Sequence, residues 1–384
     1  MGSARMFAPR RLEKNPIERL ASLPWGIVFL MTLIAGIGVG ILYSVGGGNM
    51  NPWASAHVMR YGLAFAIMLI VSVIDIRVWM ALAYPAWVTG VVMLLAVKFV
   101  GSTGMGGQRW LDLYVMRIQP SELMKIAVVM ALARYFHGRD FFQSKRLQSL
   151  LVPALIMGLP MILIVTQPDL GTGLMVIFAG AAILLMAGLP VWLFVVAGVL
   201  SAAAVPVAWQ FLKPYQQDRV LIFLNPESDP LGAGYQITQS KIALGSGGLM
   251  GKGFLEGTQS QLKFLPEMKT DFIFTVLAEE FGLVGALVLL MLYMGVLSYA
   301  LFMAFGCRHQ FGRLLAGGLS VTLFLYVMIN VSMVMGLMPV VGVPLPLVSY
   351  GGSAMLTWMI AFGLIFSVSI SRHVALAPKG SGIA

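Results

Sequence analysis

The sequence predicts an all-α integral membrane protein, and three observations carry that prediction. Of 384 residues, 59% are hydrophobic and only 10% are charged, against about 25% charged in soluble domains. About ten apolar runs are each long enough to cross a hydrocarbon core at 1.5 Å per helical residue. The charges between the runs separate into two sets, one predominantly basic and one mixed.

The runs lie near 24–44, 58–75, 78–100, 121–137, 148–166, 170–188, 190–212, 271–305, 312–337 and 353–371. The fourth is short and the eighth long, so tilt or interfacial extension is expected there. Arg5, Arg10, Arg11, Lys14 and Arg19 precede the first run, which puts the N-terminus (1–22) in the cytoplasm by the positive-inside rule. That run has no small-residue cleavage site, so it is a first span and not a removed signal peptide. Arg77, then Arg134, Arg139, Lys145 and Arg146, then Arg308 and Arg313, then Arg372 and Lys379 of the tail (372–384) all fall on the same side. Residues 1–384 therefore form a single polytopic domain with both termini cytoplasmic. The formal charge of +10 belongs to such loops and does not indicate nucleic acid. One cysteine, Cys307, excludes an intrachain disulfide framework, and His57, His137, His309 and His373 follow no metal spacing.

The other side ought to be poor in Lys and Arg, yet it holds Arg109, Arg117, Lys213, Arg219, Lys241, Lys252, Lys263 and Lys269. It also holds Asp112, Asp169, Asp218, Glu227, Asp229, Glu256, Glu267 and Asp271. The long loop 213–270 is exempt from the charge rule. The short loop 101–120 is not, so an external ligand for its two arginines is expected. Within the long loop, Tyr235 to Leu244 has helical apolar spacing, and "GSGGLMGKG" supplies a turn. Short amphipathic helices on the outer surface are the expectation.

Four stretches on that side hold residues that chemistry needs. In "GGQRWLDLYVMRIQPSELMKIA", Pro120 suits a helix start, and Glu122 and Lys125 share one face at a spacing that permits pairing. Ionisable residues inside a span are functional candidates, with a plain stabilising pair as the alternative. Trp110 is equally an ordinary interfacial residue. In "TQPDLGTG", Asp169 taken alone reads as a turn residue or helix cap. "MPVVGVPLPLVSYGGSAM" cannot be a regular helix, and its apolar side chains imply a loop folded back at membrane depth with Ser349 and Tyr350 as polar tips. A rigid packed connector is the alternative. In "FLPEMKTDFIFTVLAEEFG", Asp271 is either a base at the water–lipid boundary or first-turn decoration of a helix capped by Thr270. Glu279 and Glu280 should lie about 12–14 Å further along that helix.

There is no Walker loop, HExxH or GxSxG motif. One prominent acid among many cations suits transfer of a glycosyl group from a pyrophosphate donor. Cations neutralise such a leaving group, and the attacking hydroxyl needs a base.

"QRWLDL…RIQPSELMKIA", "QPDLGT", "FLPEMKTDFIFTVLAEEFG" and "GLMPVVGVPLPLVSYGGSA", in this order, closely resemble the SEDS family of bacterial shape, elongation, division and sporulation proteins. The resemblance runs from the first span to the last. "VVGVPLPLVSYGG" looks like the elongation (RodA) group, and the Thr-Lys-Gly that the division group tends to carry near Val341 and Gly342 is missing. The resemblance implies a ten-span peptidoglycan glycosyltransferase that polymerises lipid II on the outer face of the inner membrane. It implies a class B penicillin-binding protein as partner, alongside other elongation-complex proteins. Asp271 is carried over as the base. Arg109, Trp110, Glu122 and Lys125 are carried over as cavity residues, with Asp169, Lys241, Glu267, Ser349 and Tyr350 as further substrate contacts. The family is associated with a divalent cation (Mg2+ or Mn2+); the sequence shows no metal site, and pyrophosphate would bring the ion. A lipid II flippase is the main rival, and a transporter would gather its ionisable residues at the midplane. A scaffold that only binds the partner is a third reading, which does not need Asp271, Glu122 and Lys125.

Overall fold

The computed structural model describes residues 15–104, 107–112, 117–138, 150–212, 214–229, 232–262, 264–265, 267–374 and 376. Arg5, Arg10, Arg11, Lys14, Arg139, Lys145, Arg146, Lys213, Lys263 and Lys379 lie outside these residues. Among the described residues the fold is an all-α bundle of ten core helices, six of them long and apolar enough to cross a membrane by length and composition alone, with short surface helices around them. In chain order the helices are α1 (Pro16–Ala21), α2 (Trp25–Val45), α3 (Trp53–Val73), α4 (Ile76–Val100), α5 (Pro120–Phe136), α6 (Leu151–Thr166), α7 (Leu170–Met186), α8 (Val191–Phe211), α9 (Pro214–Leu224), α10 (Ala233–Gly247), α11 (Thr258–Gln261), α12 (Ile273–Gly306), α13 (Gln310–Val334) and α14 (Gly352–Ile370).

The apolar runs became helices within a few residues of their expected limits, apart from the start of α3. There an extra turn, Trp53–His57, precedes the run. The long loop forms α9, α10 and α11, with α10 covering the segment whose spacing is helical. The short loop holds a small antiparallel sheet of β1 (Ser102–Gly104), β2 (Gly107–Asp112) and β3 (Arg117–Ile118), which apolar periodicity does not reveal. Helices α5, α13 and α14 form the centre, and α8 stands at the rim with most of its side chains exposed. Arg19 pairs with Asp75 at 2.9 Å, Ser367 bonds the Ile74 carbonyl at 2.8 Å, and Arg308 N–H bonds the Arg372 carbonyl at 3.0 Å. Both ends of the described chain therefore lie at one end of the bundle.

Two departures from regular helix shape the opposite end, where the long loop sits. The first is residues 338–351, which enter the bundle as irregular chain. A Cβ on Gly38 would come 2.8 Å from Val348 Cα. Gly38 stands about 10 Å inside the end of α2 at 1.5 Å per residue. The buried His57 ring meets the Leu347 carbonyl at 3.0 Å, and the Tyr293 hydroxyl donates to Pro346 O. These groups satisfy irregular backbone at a depth where lipid offers no partner. The second departure is Gly282, whose φ of 66° and ψ of −161° interrupt α12. The chain after it is about 36 Å of helix, enough to span on its own.

That interruption turns the first part of α12 back over the bundle. In an antiparallel hairpin of α12 and α13, Asn330 lies level with a residue near 286. A straight α12 would then carry Asp271 about 20 Å beyond it. Instead, the Asp271 carbonyl accepts a hydrogen bond from Asn330 at 2.8 Å. Residues 273–281 thus lie across the loop end, and the expected descent of Glu279 and Glu280 into the membrane does not occur.

Candidate active site

Asp271 sits just ahead of α12, half-buried. It is not a helix cap: the N-cap is Phe272, with no side-chain bond. Thr270 does not cap either, because its hydroxyl donates to Glu267 Oε2 at 2.8 Å. Among the described residues no hydrogen bond reaches the Asp271 carboxylate, although its main-chain oxygen is held by Asn330. Burial pushes the carboxyl up to about 7; the nearby Glu267 charge adds to the rise and Arg219 opposes it. The carboxylate faces the re-entrant loop, where a Cβ on Gly342 would lie 3.4 Å from Oδ2.

The loop residues gather round it. Ser349 Oγ donates to the Thr270 carbonyl at 2.6 Å and accepts from Leu345 N–H at 2.7 Å, so it splices the loop to the turn that carries Asp271. Tyr350 N–H bonds the Lys269 carbonyl at 2.8 Å. The Tyr350 ring lies edge-on to Trp53 and under the Arg60 guanidinium, 4.3 Å from its centroid. Arg219 of α9 reaches the Val340 carbonyl at 3.2 Å. Lys241, exposed on α10, lies along Gly336. Asp271, Glu267, Ser349 and Tyr350 therefore share one site, with Lys241 at its edge.

The remaining expected site residues are placed elsewhere and are engaged by the protein itself. Arg109, on β2 beside Trp110, donates to the carbonyls of Gln167 and Pro168. Arg117 pairs with Asp112 at 2.7 Å across the exposed sheet. The two arginines of the short loop thus have partners in their own chain, and the expected external ligand is not needed to explain them. Asp169 caps α7 by accepting from Thr172 N–H at 3.3 Å, and Gln119 donates to its other oxygen at 3.2 Å. This turn abuts the re-entrant loop, since Gly171 leaves room for the Val341 side chain. Glu122 and Lys125 pair at 2.7 Å in the interior, and both Glu122 oxygens accept from the Tyr326 hydroxyl. They line a small internal cavity with Thr357 and Trp358 rather than the surface around Asp271.

Glu279 and Glu280 fasten the long loop. Glu279 Oε1 accepts from Lys252 Nζ at 2.8 Å, Gln259 N–H at 3.0 Å and Thr258 Oγ1 at 3.2 Å. Glu280 accepts from the Ser44 hydroxyl. Asn330 also meets this site, and its one signal in the sequence is a lone amide in the apolar run "YVMINVSMV". Among the described residues no three His, Cys, Asp or Glu side chains converge as a metal site.

A helical bundle with a re-entrant loop at one end, beside a carboxylate that receives no hydrogen bond among the described residues, is a polytopic membrane protein with a candidate site at that end. Within that class, the chain belongs to the FtsW/RodA/SpoVE cell cycle protein family, whose pattern matches residues 19–374. It is 46% identical over 335 residues to the peptidoglycan glycosyltransferase MrdB of Escherichia coli K12, covering 87% of this chain and 90% of that one. Identity to MrdB of Helicobacter pylori 26695 is 38%, over 82% of each chain. A solved peptidoglycan synthase complex that coordinates polymerization and crosslinking contains a chain that superposes with a TM-score of 0.80 at 32% identity, over 92% of this chain and 99% of that one. The rod shape determining protein RodA of Thermus thermophilus gives 0.70 at 27% identity, over 92% and 98%.

Proposed function

We propose that Asp271 is the general base of a lipid II polymerase. The chain is a peptidoglycan glycosyltransferase of the cell-elongation type; the mechanism, the residues and the sidedness are our reading. The observation that carries it is a carboxylate with no hydrogen-bond donor among the described residues and a pKa raised to about 7. A carboxylate already saturated by donors is a poor proton acceptor. One tuned near the working pH combines ionisation with basicity.

In this reading the acceptor sugar's 4-hydroxyl gives its proton to Asp271 as its oxygen attacks the anomeric carbon of the donor. The bond to undecaprenyl pyrophosphate breaks with its electron pair leaving on the pyrophosphate. A single displacement converts an α-linked donor into a β-linked chain. Arg60, Lys269, Arg219 and Lys241 supply positive charge around the re-entrant loop for the pyrophosphate. A divalent cation is assigned to the pyrophosphate rather than to the protein. The loop end faces the outside of the cytoplasmic membrane, where lipid II presents its headgroup, and both termini are cytoplasmic. A class B penicillin-binding protein is the proposed partner, crosslinking the new strands with other elongation-complex proteins.

The test is polymerisation of purified lipid II by the protein with a transpeptidase-inactive partner, comparing wild type with a folded, partner-bound Asp271→Asn variant. Long glycan from wild type and none from the variant is the expected result. Undiminished turnover by the variant removes Asp271 as the base. No glycan from either, under competent conditions, favours the transport reading.

A further inference from the structure

The Lys125–Glu122 pair and Asp271 lie at different depths, and one helix connects them. On α13, Tyr326 and Asn330 are one turn apart on the same face. The Tyr326 hydroxyl reaches Glu122 Oε1 and Oε2 at 2.9 and 2.7 Å, while the Lys125 ammonium lies 4.2 Å from the Tyr326 ring centroid. One turn on, Asn330 Nδ2 donates both to the Asp271 carbonyl at 2.8 Å and to the Val343 carbonyl at 2.7 Å. Asn330 is fully buried. One carboxamide therefore joins the peptide that bears the base to the re-entrant loop that the base faces. Fixing a peptide oxygen fixes the adjacent Cα, and so the point from which the carboxylate projects.

We infer that Asn330 is a positioning residue for Asp271, and that the Lys125–Glu122–Tyr326 column sets the rotation of the helix that presents it. This rests on the reading of Asp271 as the base. It gives the buried ion pair a role that needs no contact with substrate. The pair's burial makes it costly to break but effective as a fixed reference, since removing one partner leaves an uncompensated charge.

Asn330→Leu keeps the volume and removes the donor. In the full chain with its transpeptidase-inactive partner, kcat should fall about 100-fold, the cost of displacing a reacting group by about 1 Å. KM for lipid II should stay within about twofold, because uniform binding is untouched. The acid limb of the kcat–pH profile should also move to lower pH. A loosened turn admits water to the Asp271 carboxyl, while Glu267 and Arg219, the charges that act on it, are unchanged. Tyr326→Phe should move kcat in the same direction by a smaller factor, and Asn330→Gln, which keeps the amide, should recover part of the loss.

Wild-type kcat and an unmoved acid limb in Asn330→Leu overturn the inference. So does a kcat loss that tracks the lost fraction of folded protein with the limb in place. If the leucine variant does not accumulate, Asn330→Ser, too short to span both carbonyls, is read by the same outcomes. Failure of Asp271→Asn to reduce turnover would sink the parent reading instead, so the two failures are distinguishable.

Discussion

Asp271 and Glu279 are about two helical turns apart in one segment, both beneath the same loop, yet their surroundings differ in kind. Glu279 is almost fully buried, and one of its oxygens takes a lysine, a hydroxyl and a backbone N–H. Asp271 is half-buried, its carboxylate receives no hydrogen bond among the described residues, and burial with Glu267 raises it to about 7. Donors stabilise the charged form and remove its capacity to accept a proton; burial without donors does the reverse. Residue type and position in the motif do not separate the two. The count of donors does.

Exchange of each acid for its amide is the strongest test of this contrast. Asp271→Asn should reduce polymerisation about 10²–10⁴-fold, the usual contribution of a general base. It should also raise the apparent Tm at pH 8. The raised carboxyl means that the native state is penalised once Asp271 ionises. That penalty is absent below the ordinary carboxylate range, grows as pH rises towards about 7, and is fully present above it. The stabilisation by Asn should therefore disappear near pH 4. Glu279→Gln should do the opposite, keeping the chemistry while losing about 1–2 kcal/mol through the unpaired Lys252, which is a quarter exposed and partly rehydrates. Lipid II turnover alongside a thermal melt at both pH values checks the crossing. A catalytic collapse in Glu279→Gln with an unchanged melt would break the comparison.

The next effect in size concerns the bend that separates the two acids from the membrane helix. Gly282→Ala forces a side chain into φ 66°, ψ −161°, with its Cβ within 2.6 Å of Gly251 N and Leu249 O. Such backbone is open to glycine almost alone, at about 1–3 kcal/mol for other residues before any clash. Turnover should fall with apparent Tm. Gly36→Ala, where a Cβ meets nothing within 4 Å, should leave both at or above wild type. This bend explains what sequence reasoning missed. Ten spans were legible because hydrophobic length is a local property, and Asp271 stood out because acids are scarce in such a chain. The depth of Glu279 and Glu280 is not legible because helical arithmetic assumes an unbroken helix, and the glycine in "AEEFGLVG" resembles any tolerated helix glycine. The arginines of the short loop looked unsatisfied because the partners of Arg109 are main-chain carbonyls some sixty residues away, which leave no mark in composition. Asn330 was hidden because its value lies in the two carbonyls it meets.

A smaller effect follows from the charges that act on Asp271. With Asp271 as the base, kcat should rise with pH through about 7. Glu267→Gln removes a negative neighbour and should move that limb to lower pH; Arg219→Gln removes an opposing positive charge and should move it higher. Matched shifts in opposite directions, from pH–rate profiles of the two variants, would sharpen the case that the limb belongs to Asp271. An immobile limb in both would assign it to another group.

The smallest expected effect on turnover is at Asp169, which belongs to the family motif yet, unlike Asp271, has both carboxylate oxygens taken by donors. Its two oxygens serve Thr172 N–H and Gln119 Nε2. A side chain spent in this way caps α7 and steadies the turn that abuts Val341; it has little left for a sugar. Asp169→Asn keeps an acceptor at the cap and should be nearly neutral. Asp169→Ala should cost about 1 kcal/mol, the typical value of a lost cap, and show as a lower melting temperature with kcat/KM per folded molecule within about threefold. The same count of donors predicts this outcome for any carboxylate that the protein has already filled. A large rise in KM for lipid II in Asp169→Ala, at wild-type stability, would mean that the turn opens to substrate during the cycle and that hydrogen-bond saturation in the resting state is not enough to exclude a residue from the site.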